Sequence, residues 1–289
     1  MTTPDSPPPG VGAKILWKRF ASNRLAIAGA AVFLFFFLMA LIGPQVAPYP
    51  FDAQTISNRY QPPSWQHLCG TDQFGRDVFS RIIVGARSVF FLGGTGTLLA
   101  AALGTIMGLL AGYYGGLLDE IAMRLCDIVM AFPALLLALV FIALSGPSLF
   151  NLVLIITILY VPIMARVVRG MTLEIKSLAF IEAARVRGES DPYILFIEIL
   201  PNTLPPVFVE MSMRFSYAIF LVASLGFLGL GVQPPSPDWG MQINEARSSI
   251  NSAPWVLLCP AGAISLLVIS TSLVSDSLRN LLQPSMGKR

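Results

Sequence analysis

Six long apolar segments dominate this sequence and constrain its fold more than any other feature. They cover approximately residues 25–46, 88–112, 128–145, 148–168, 206–231 and 253–275. Each has about 18 or more nearly uncharged residues, so a helix made from it can cross a hydrocarbon layer of about 30 Å. Because backbone amides cannot remain unpaired in lipid, each segment should be helical. The sequence therefore predicts an all-α membrane protein with six transmembrane helices.

Composition supports this interpretation, since 55% of the 289 residues are apolar and only 12% are charged. A basic cluster precedes the first apolar segment, as it does in a signal peptide. That segment runs from Leu25 to Ile42, however, and the apolar core of a signal peptide has only about 7–15 residues. We therefore expect a membrane helix at this position rather than a cleaved signal.

Lysine and arginine are unequally shared between the two sides of this arrangement. If both termini are cytoplasmic, thirteen basic residues lie on the cytoplasmic side, five lie outside, and Arg214 lies within a span. Basic residues concentrate on the cytoplasmic side of membrane proteins, which favours this orientation and explains the net charge of +3 without a nucleic-acid partner. The predicted divisions are a cytoplasmic tail at 1–24 with a Pro-rich start, a first span at 25–46, an outer loop at 47–87, a five-helix core at 88–277 that includes a cytoplasmic loop at 166–202, and a cytoplasmic tail at 278–289.

The outer loop contains two acid–base pairs at four-residue spacing, Asp72 with Arg76 and Asp77 with Arg81. This spacing places each pair on one side of a helix. We expect a short amphipathic helix here, which either lies along the membrane surface or only links two spans.

Three glycines in the second span, Gly104, Gly108 and Gly112, recur every four residues. They form a helix face without side chains, which lets another helix approach closely in lipid. We expect packing within this chain, with packing on a second subunit as the alternative.

Glu210 and Arg214 are charged residues within the fifth span. An ionised side chain near the bilayer centre is costly, so such residues usually pair with each other or face a cavity. At four-residue spacing the two can pair on one helix face. They either border a translocation pathway or form a purely structural pair.

Cysteine and histidine usage gives no sign of a catalytic or metal centre. Cys69, Cys126 and Cys259 fall in different parts of the chain, and we expect no two of them to pair. His67 is the only histidine, and we expect it on the surface or in a turn. We therefore expect no metal site, no catalytic residue and no cofactor bound by this chain.

The cytoplasmic loop contains the segment IEAARVRGESDPYILFIEILPN at residues 181–202. A helix should end near Gly188, and a second helix should start at Asp191 and Pro192 and end at Pro201. Two short helices around a glycine form a compact projection suited to docking in a groove, although a solvated loop would explain the charges as well. The candidate contact residues are Glu182, Ala183, Ala184, Arg185, Arg187 and Gly188.

Several motifs resemble those of one transporter family. The EAA run with Gly188 and a following ILP is similar to the EAA loop of permease subunits of bacterial ABC importers. GTDQFGRDVFSRIIVGAR, AGYYGG, DIVMAFP and SLGFLGLGVQPPSPDWG resemble the C-type permease of the dipeptide, oligopeptide and nickel transporter family. The resemblance covers about residues 15–284. Cys69 and the segment SDSLRNLLQP near the C-terminus depart from the usual family pattern.

The resemblance implies a type I ABC importer permease fold in the bacterial cytoplasmic membrane. It implies as partners a second homologous permease, two ABC ATPase subunits that use ATP and Mg, and an extracytoplasmic substrate-binding protein. The chain has no Walker A motif of its own, so the cytoplasmic projection would be the coupling helix. Candidate residues for docking or gating on the outer side are Asp72, Arg76, Asp77, Pro234, Pro235 and Trp239.

Two other function classes fit the sequence less well. A secondary transporter would use intramembrane acids, but Glu210 is already matched by Arg214. An intramembrane enzyme would need a nucleophile and a base, and the one histidine lies outside the spans. Di- or oligopeptides are the expected substrates, with nickel complexes, glutathione and opine-like solutes as alternatives.

Overall fold

The computed structural model describes residues 23–282, and no β-strand occurs among them. The tail expected before residue 23 and the end of the tail expected after residue 282 lie outside this range. The helices are α1 Arg24–Val46, α2 Val78–Tyr114, α3 Gly116–Met130, α4 Ala134–Ser145, α5 Leu149–Ile175, α6 Ala179–Val186, α7 Asp191–Phe227, α8 Trp239–Glu245 and α9 Trp255–Leu282.

Five helices are long and apolar enough to cross a membrane singly, namely α1, α2, α5, α7 and α9. Helices α3 and α4 form a sixth candidate only when they are taken together. A short break separates them, and the pair is bent there by 86°. The expected single span at 128–145 is therefore wrong. Pro133 at the start of α4 has no N–H to donate and restricts the residue before it, which favours a break here. The predicted all-α membrane fold is confirmed.

Helix α2 begins at Val78, ten residues before the expected second span. The short amphipathic helix expected in the outer loop does not form as a separate element. Residues 72–77 form turns, in which the Asp72 carboxylate accepts hydrogen bonds from backbone N–H groups, including that of Arg76 at 3.0 Å. Asp77 caps α2 by accepting from the Ser80 N–H at 2.7 Å. The expected helix was wrong because these carboxylates bond to local backbone groups and so stabilise turns rather than helix.

Helix α7 continues through the point where a helix end was expected. The chain stays helical from Asp191 to Phe227 despite Pro201, and residues Ile194–Ile199 adopt a π-helix just before that proline. In this wider turn the Leu200 N–H donates to the carbonyl five residues earlier, at Leu195. The cytoplasmic segment and the fifth span are thus one continuous helix.

The three predicted packing glycines of α2 lie directly against α5. A Cβ atom on Gly104 would come within 2.5 Å of the Met164 Cβ, and one on Gly108 within 2.5 Å of the Ala165 carbonyl oxygen. A Cβ on Gly112 would likewise lie 2.7 Å from the Thr172 Cβ. The backbones of α2 and α5 therefore approach too closely for a side chain at these positions. This contact is within the chain.

Candidate functional site

The cytoplasmic projection consists of α6 and the turn after it. Ile181 and Ala184 are fully buried and pack beneath α6 on Ile194, Leu195 and other apolar residues. Ala184 was expected to face a partner, and this is wrong: it belongs to the internal contact of the projection. The exposed surface is formed by Glu182, Ala183, Arg185, Val186, Arg187 and Gly188.

The turn after α6 has a defined geometry. The Gly188 N–H donates to the Arg185 carbonyl at 2.9 Å, and the Glu189 N–H donates to the Ala184 carbonyl at 3.2 Å. This bonding pattern is the Schellman motif. Gly188 has φ of +81°, and nothing lies within 4 Å of the place a Cβ would take. The backbone conformation, not crowding, therefore requires glycine at this position.

Charge and aromatic contacts hold the projection on α2. Tyr113 donates a hydrogen bond from its hydroxyl to Asp191 Oδ1 at 2.7 Å, and the Arg185 guanidinium lies 5.6 Å from the centre of the Tyr113 ring. Lys176 donates to the Gly112 carbonyl at 2.7 Å, near the C-terminus of α2. Arg187 lies 3.5 Å from Glu189 and from Glu198. The projection is thus fixed to the membrane helices on two sides.

Glu210 and Arg214 form an ion pair on α7. Nε and Nη2 of Arg214 both lie 2.7 Å from Oε1 of Glu210, and the guanidinium is 4.9 Å from the centre of the Tyr217 ring. Arg214 also lines a cavity of about 300 Å³ together with Tyr160, Ser224 and other residues. The pair is therefore formed within the helix, and its cation borders an open space.

A second cavity, of about 280 Å³, lies between α7 and α9. Tyr217 and Phe220 line both cavities, and their side chains are 57% and 63% exposed. Ser272, Ser275 and Asp276 form its polar wall on α9. The face of α7 that borders the two cavities therefore carries aromatic, hydroxyl and charged groups.

A buried charge network stabilises the opposite end of the molecule. Arg76 donates from Nε to Asp72 Oδ2 and from Nη2 to Glu245 Oε2, both at 2.6 Å, and Arg81 Nη2 lies 3.4 Å from the same Glu245 oxygen. Arg76, Asp72 and Asp77 are each at most 5% exposed. These residues were expected to dock a partner or to act in gating, but their burial leaves almost no surface for a direct contact: Arg76 pairs with Asp72, and Asp77 caps α2 and pairs with His67. Buried charges require such partners.

His67 pairs with Asp77 beside this network. It is buried, and its Nδ1 lies 2.8 Å from Asp77 Oδ1. It was expected on the surface or in a turn: it is not on the surface, but it does lie in a turn, where its carbonyl accepts from the Gly70 N–H at 2.8 Å. The described residues contain no group of three or more His, Cys, Asp or Glu side chains that could hold a metal ion.

Trp239 and Asp238 fix the loop between α7 and α9. The Trp239 indole is fully buried and donates to the Ile82 carbonyl at 2.9 Å, so this residue is also not available for docking. Asp238 caps α8 by accepting from the Met241 N–H at 2.9 Å. Burial raises the pKa of Asp238 to about 6, and its Oδ2 has no hydrogen-bond partner. Both residues position the loop.

At this end of the molecule, the exposed residues are not the predicted docking or gating residues, except for two prolines. Pro234 and Pro235 are exposed. Trp65 is 97% exposed and Ile56 is 77% exposed, although neither stood out in the sequence. The sequence did contain one signal for this surface, namely Trp65 in a polar loop, because exposed apolar patches often mark a contact surface.

Family models match most of the chain. The model of the binding-protein-dependent transport system inner membrane component matches residues 104–288, and the model of the N-terminal TM domain of oligopeptide transport permease C matches residues 13–63. The chain belongs to the binding-protein-dependent transport permeases. It is a component of an ABC importer and a multi-pass protein of the inner membrane, so the resemblance stated from the motifs is confirmed.

Individual relatives of this permease carry two kinds of name. The chain is 42% identical to the dipeptide transport system permease protein DppC of Alkalihalophilus pseudofirmus, over 98% of this chain and 95% of that protein. It is 42% identical to the glutathione transport system permease protein GsiD of Pectobacterium atrosepticum, over 93% of this chain and 90% of that protein. The same protein of Escherichia coli is also 42% identical, over 93% of this chain.

Proposed function

We propose that this permease is one of two membrane subunits of an ATP-driven, binding-protein-dependent importer for di- or oligopeptides. The observation that carries the proposal is the 42% identity to a dipeptide permease over 98% of the chain. The importer would also contain a second homologous permease, two ABC ATPase subunits and an extracytoplasmic binding protein. ATP and Mg would be bound by the ATPase subunits.

Glutathione is the second candidate substrate, because permeases named for its transport are equally identical to this chain. Uptake into proteoliposomes that contain the whole importer separates the two. We expect saturable, ATP-dependent uptake of a labelled dipeptide that excess glutathione does not inhibit. Glutathione uptake without dipeptide uptake would overturn the peptide proposal.

The exposed face of α6 and its Schellman turn is proposed as the contact with an ATPase subunit. Two features support this assignment: the surface is preformed, and α6 packs on the start of α7, which continues into the membrane. A closing ATPase pair would move such a projection as a rigid body and repack the spans. Glu182 and Arg185 can set the register of the contact by charge pairing.

Crosslinking tests this contact and the orientation together. In Val186→Cys we expect a crosslink to an ATPase subunit from the cytoplasmic side, and in Ile56→Cys we expect reaction only with reagents added outside. Both positions are highly exposed, which makes them matched probes. Absence of the Val186→Cys crosslink in every nucleotide state would exclude the proposed contact, and labelling of Ile56→Cys from the cytoplasm would reverse the proposed orientation.

The face of α7 that carries Arg214, Tyr217 and Phe220 is proposed to line the translocation pathway. Each cavity alone is at the lower limit of ligand-site volumes, about 300 Å³, so a second permease would complete the space. A peptide presents a carboxylate and amides, which a guanidinium and hydroxyl groups can bind. In Tyr217→Cys we expect reaction with a water-soluble thiol reagent that changes between nucleotide states, whereas Phe208→Cys, also exposed on α7 but outside both cavities, should not change.

The exposed outer residues Trp65, Pro234 and Pro235 are proposed to contact the binding protein. The network around Arg76 would hold these segments in position without touching the partner. We expect Trp65→Ala to weaken binding of the substrate-loaded binding protein to the importer while leaving ATP hydrolysis without binding protein unchanged.

A further inference from the structure

Two cysteines that are far apart in sequence contact each other at the outer end of the molecule. Cys69 lies in the loop before α2, and Cys259 lies in the second turn of α9. The two thiols are close enough for each to shift the pKa of the other. No two cysteines were expected to pair, because distance along the chain gave no reason to place these two near each other.

The backbone next to Cys69 also contacts a side chain of α9. A Cβ on Gly70, next to Cys69, would lie 2.5 Å from Nε1 of Trp255. Trp255 and Cys259 are four residues apart and so share a face of α9. Both cysteines and Trp255 pack against the same buried apolar cluster. The contact thus joins two segments of the fold and is more than the meeting of two flexible side chains.

Cys69 is held in place by the turn around it. The Gly70 N–H donates to the His67 carbonyl at 2.8 Å, the Thr71 N–H donates to the Gln61 carbonyl at 3.0 Å, and the Val78 N–H donates to the Gly70 carbonyl at 3.1 Å. A disulfide requires two cysteines whose backbones are already close, because it tolerates little distortion. The bonded turn holds Cys69 in place, and the contact between Gly70 and the Trp255 indole places it beside the start of α9.

The third cysteine of the chain, Cys126, lies in α3 and is buried. In the proposed orientation, Cys69 and Cys259 lie at the outer side, where disulfides form and persist. The neighbouring Cys259 thiol and burial raise the pKa of Cys69, so its reduced form is a neutral thiol at neutral pH.

We propose that Cys69 and Cys259 are a disulfide-forming site that fastens the outer loop to α9. The oxidant is a disulfide, R–S–S–R. One cysteine, as its thiolate, attacks an oxidant sulfur, forms a mixed disulfide and releases the first R–S⁻. The second cysteine then attacks the protein sulfur of the mixed disulfide and releases the second R–S⁻. The two released thiolates take up the two cysteine protons, and two electrons pass to the oxidant.

The proposal rests on the orientation given under the proposed function, and it is tested by counting thiols in the assembled importer. Membranes are treated with 2-hydroxyethyl disulfide, free thiols are blocked under denaturing conditions, and disulfides are then reduced and labelled with a polyethylene glycol maleimide. We expect two labels per chain in the wild type and in Cys126→Ser. In Cys69→Ser and in Cys259→Ser we expect no maleimide label.

Three results would overturn the proposal: no labels in the oxidised wild type, the same labelling in Cys69→Ser, or a disulfide that links two chains on a non-reducing gel. The assay needs no transport, so it can succeed even if the permease proves to carry another substrate. A second measurement follows unfolding. The oxidised wild type should have a higher melting temperature than the reduced one, because a disulfide that closes a long loop restricts the unfolded chain. The melting temperature of Cys259→Ser should not change with the oxidant.

Discussion

The two ends of this permease, which we propose to face the outside and the cytoplasm, use charged residues in opposite ways. At the outer end, Arg76 and Asp72 are almost completely buried, and Arg76 bonds to both Asp72 and Glu245. At the cytoplasmic end, Glu182 and Arg185 are exposed, and only apolar residues such as Ile181 are buried beneath them.

This difference separates stability from recognition. A buried charge that loses its partner destabilises the fold, whereas an exposed charge can be replaced at little cost to stability and remains free to bind another protein. We therefore expect substitutions at the outer network to act on folding, and substitutions at the projection to act on coupling to the ATPase. Four predictions test that contrast.

The largest effect is expected for Arg76→Met. This change leaves Glu245 and Asp72 buried without their main cation, which should lower the free energy of unfolding by about 3–5 kcal/mol. The measurement is the melting temperature of the purified importer in detergent. Arg87→Ala is the control, because Arg87 lies on helix α2, which follows this turn, and is exposed. Equal melting temperatures for the two variants would show that the network does not stabilise the outer end.

The next effect concerns pH and Asp238. The pKa of Asp238 is about 6 in the folded chain, against 3.8 ordinarily. Between these values the folded state binds more protons than the unfolded state, so the contribution of Asp238 to stability falls as pH rises from about 4 to about 6. The loss approaches about 3 kcal/mol above that window.

Asp238→Asn removes this titration while keeping an acceptor for the Met241 N–H. We expect the stability of the variant relative to the wild type to increase from pH 4 to pH 7, as followed by melting temperature. Parallel pH profiles for the two proteins would mean that Asp238 is already ionised throughout this range.

A smaller effect on stability, but a clear one on transport, is expected for Gly188→Ala. Its φ of +81° costs alanine about 1–2 kcal/mol, so the Schellman turn should change shape. Uptake per ATP hydrolysed should fall several-fold, with normal amounts of protein in the membrane. Gly170→Ala is the matched control, since Gly170 is a helical glycine with no atom within 4 Å of its Cβ position. Unchanged uptake in Gly188→Ala would show that the Schellman turn is not needed to couple ATP hydrolysis to transport.

The smallest change in stability is expected for Val186→Ser, because Val186 is 88% exposed. The free energy of unfolding should change by less than about 0.5 kcal/mol. Retention of the ATPase subunits during purification should nevertheless decrease, because an apolar contact is lost. Ile56→Ser makes a similar change at the outer end, and it should leave retention normal. A loss of ATPase subunits in both variants, or in neither, would contradict the assignment of the two surfaces.

Hydropathy is a local property, and it was sufficient to predict five of the spans. It missed the break at Pro133 within the expected span at 128–145, and it failed where distant residues decide. Helix α2 starts at Val78, although a span was expected only from residue 88. Arg81 makes the preceding segment appear too polar for a span, but this arginine is buried beside Glu245, more than 160 residues later in the chain. No local pattern contains that contact.

The candidate site was predicted in part for the same reason. The four-residue spacing of Glu210 and Arg214 predicted their pair correctly, because both lie on one helix. The same spacing at Asp72 and Arg76 also gives an ion pair, but on a turn instead of a helix. Charge spacing thus predicted the partners in both places. It did not predict the backbone, which depends on the hydrogen bonds that each carboxylate makes nearby.

The unbroken course of α7 has a mechanical consequence. Its 37 residues correspond to a rod of about 55 Å at about 1.5 Å per residue, which is longer than the hydrocarbon layer is thick. The cytoplasmic end of that rod supports α6, and Arg214, Tyr217 and Phe220 lie well along it. A lever of this length converts a small tilt into a displacement of several ångströms near its tip, and the π-helix at Ile194–Ile199 with the prolines that follow it is the place where this helix can bend.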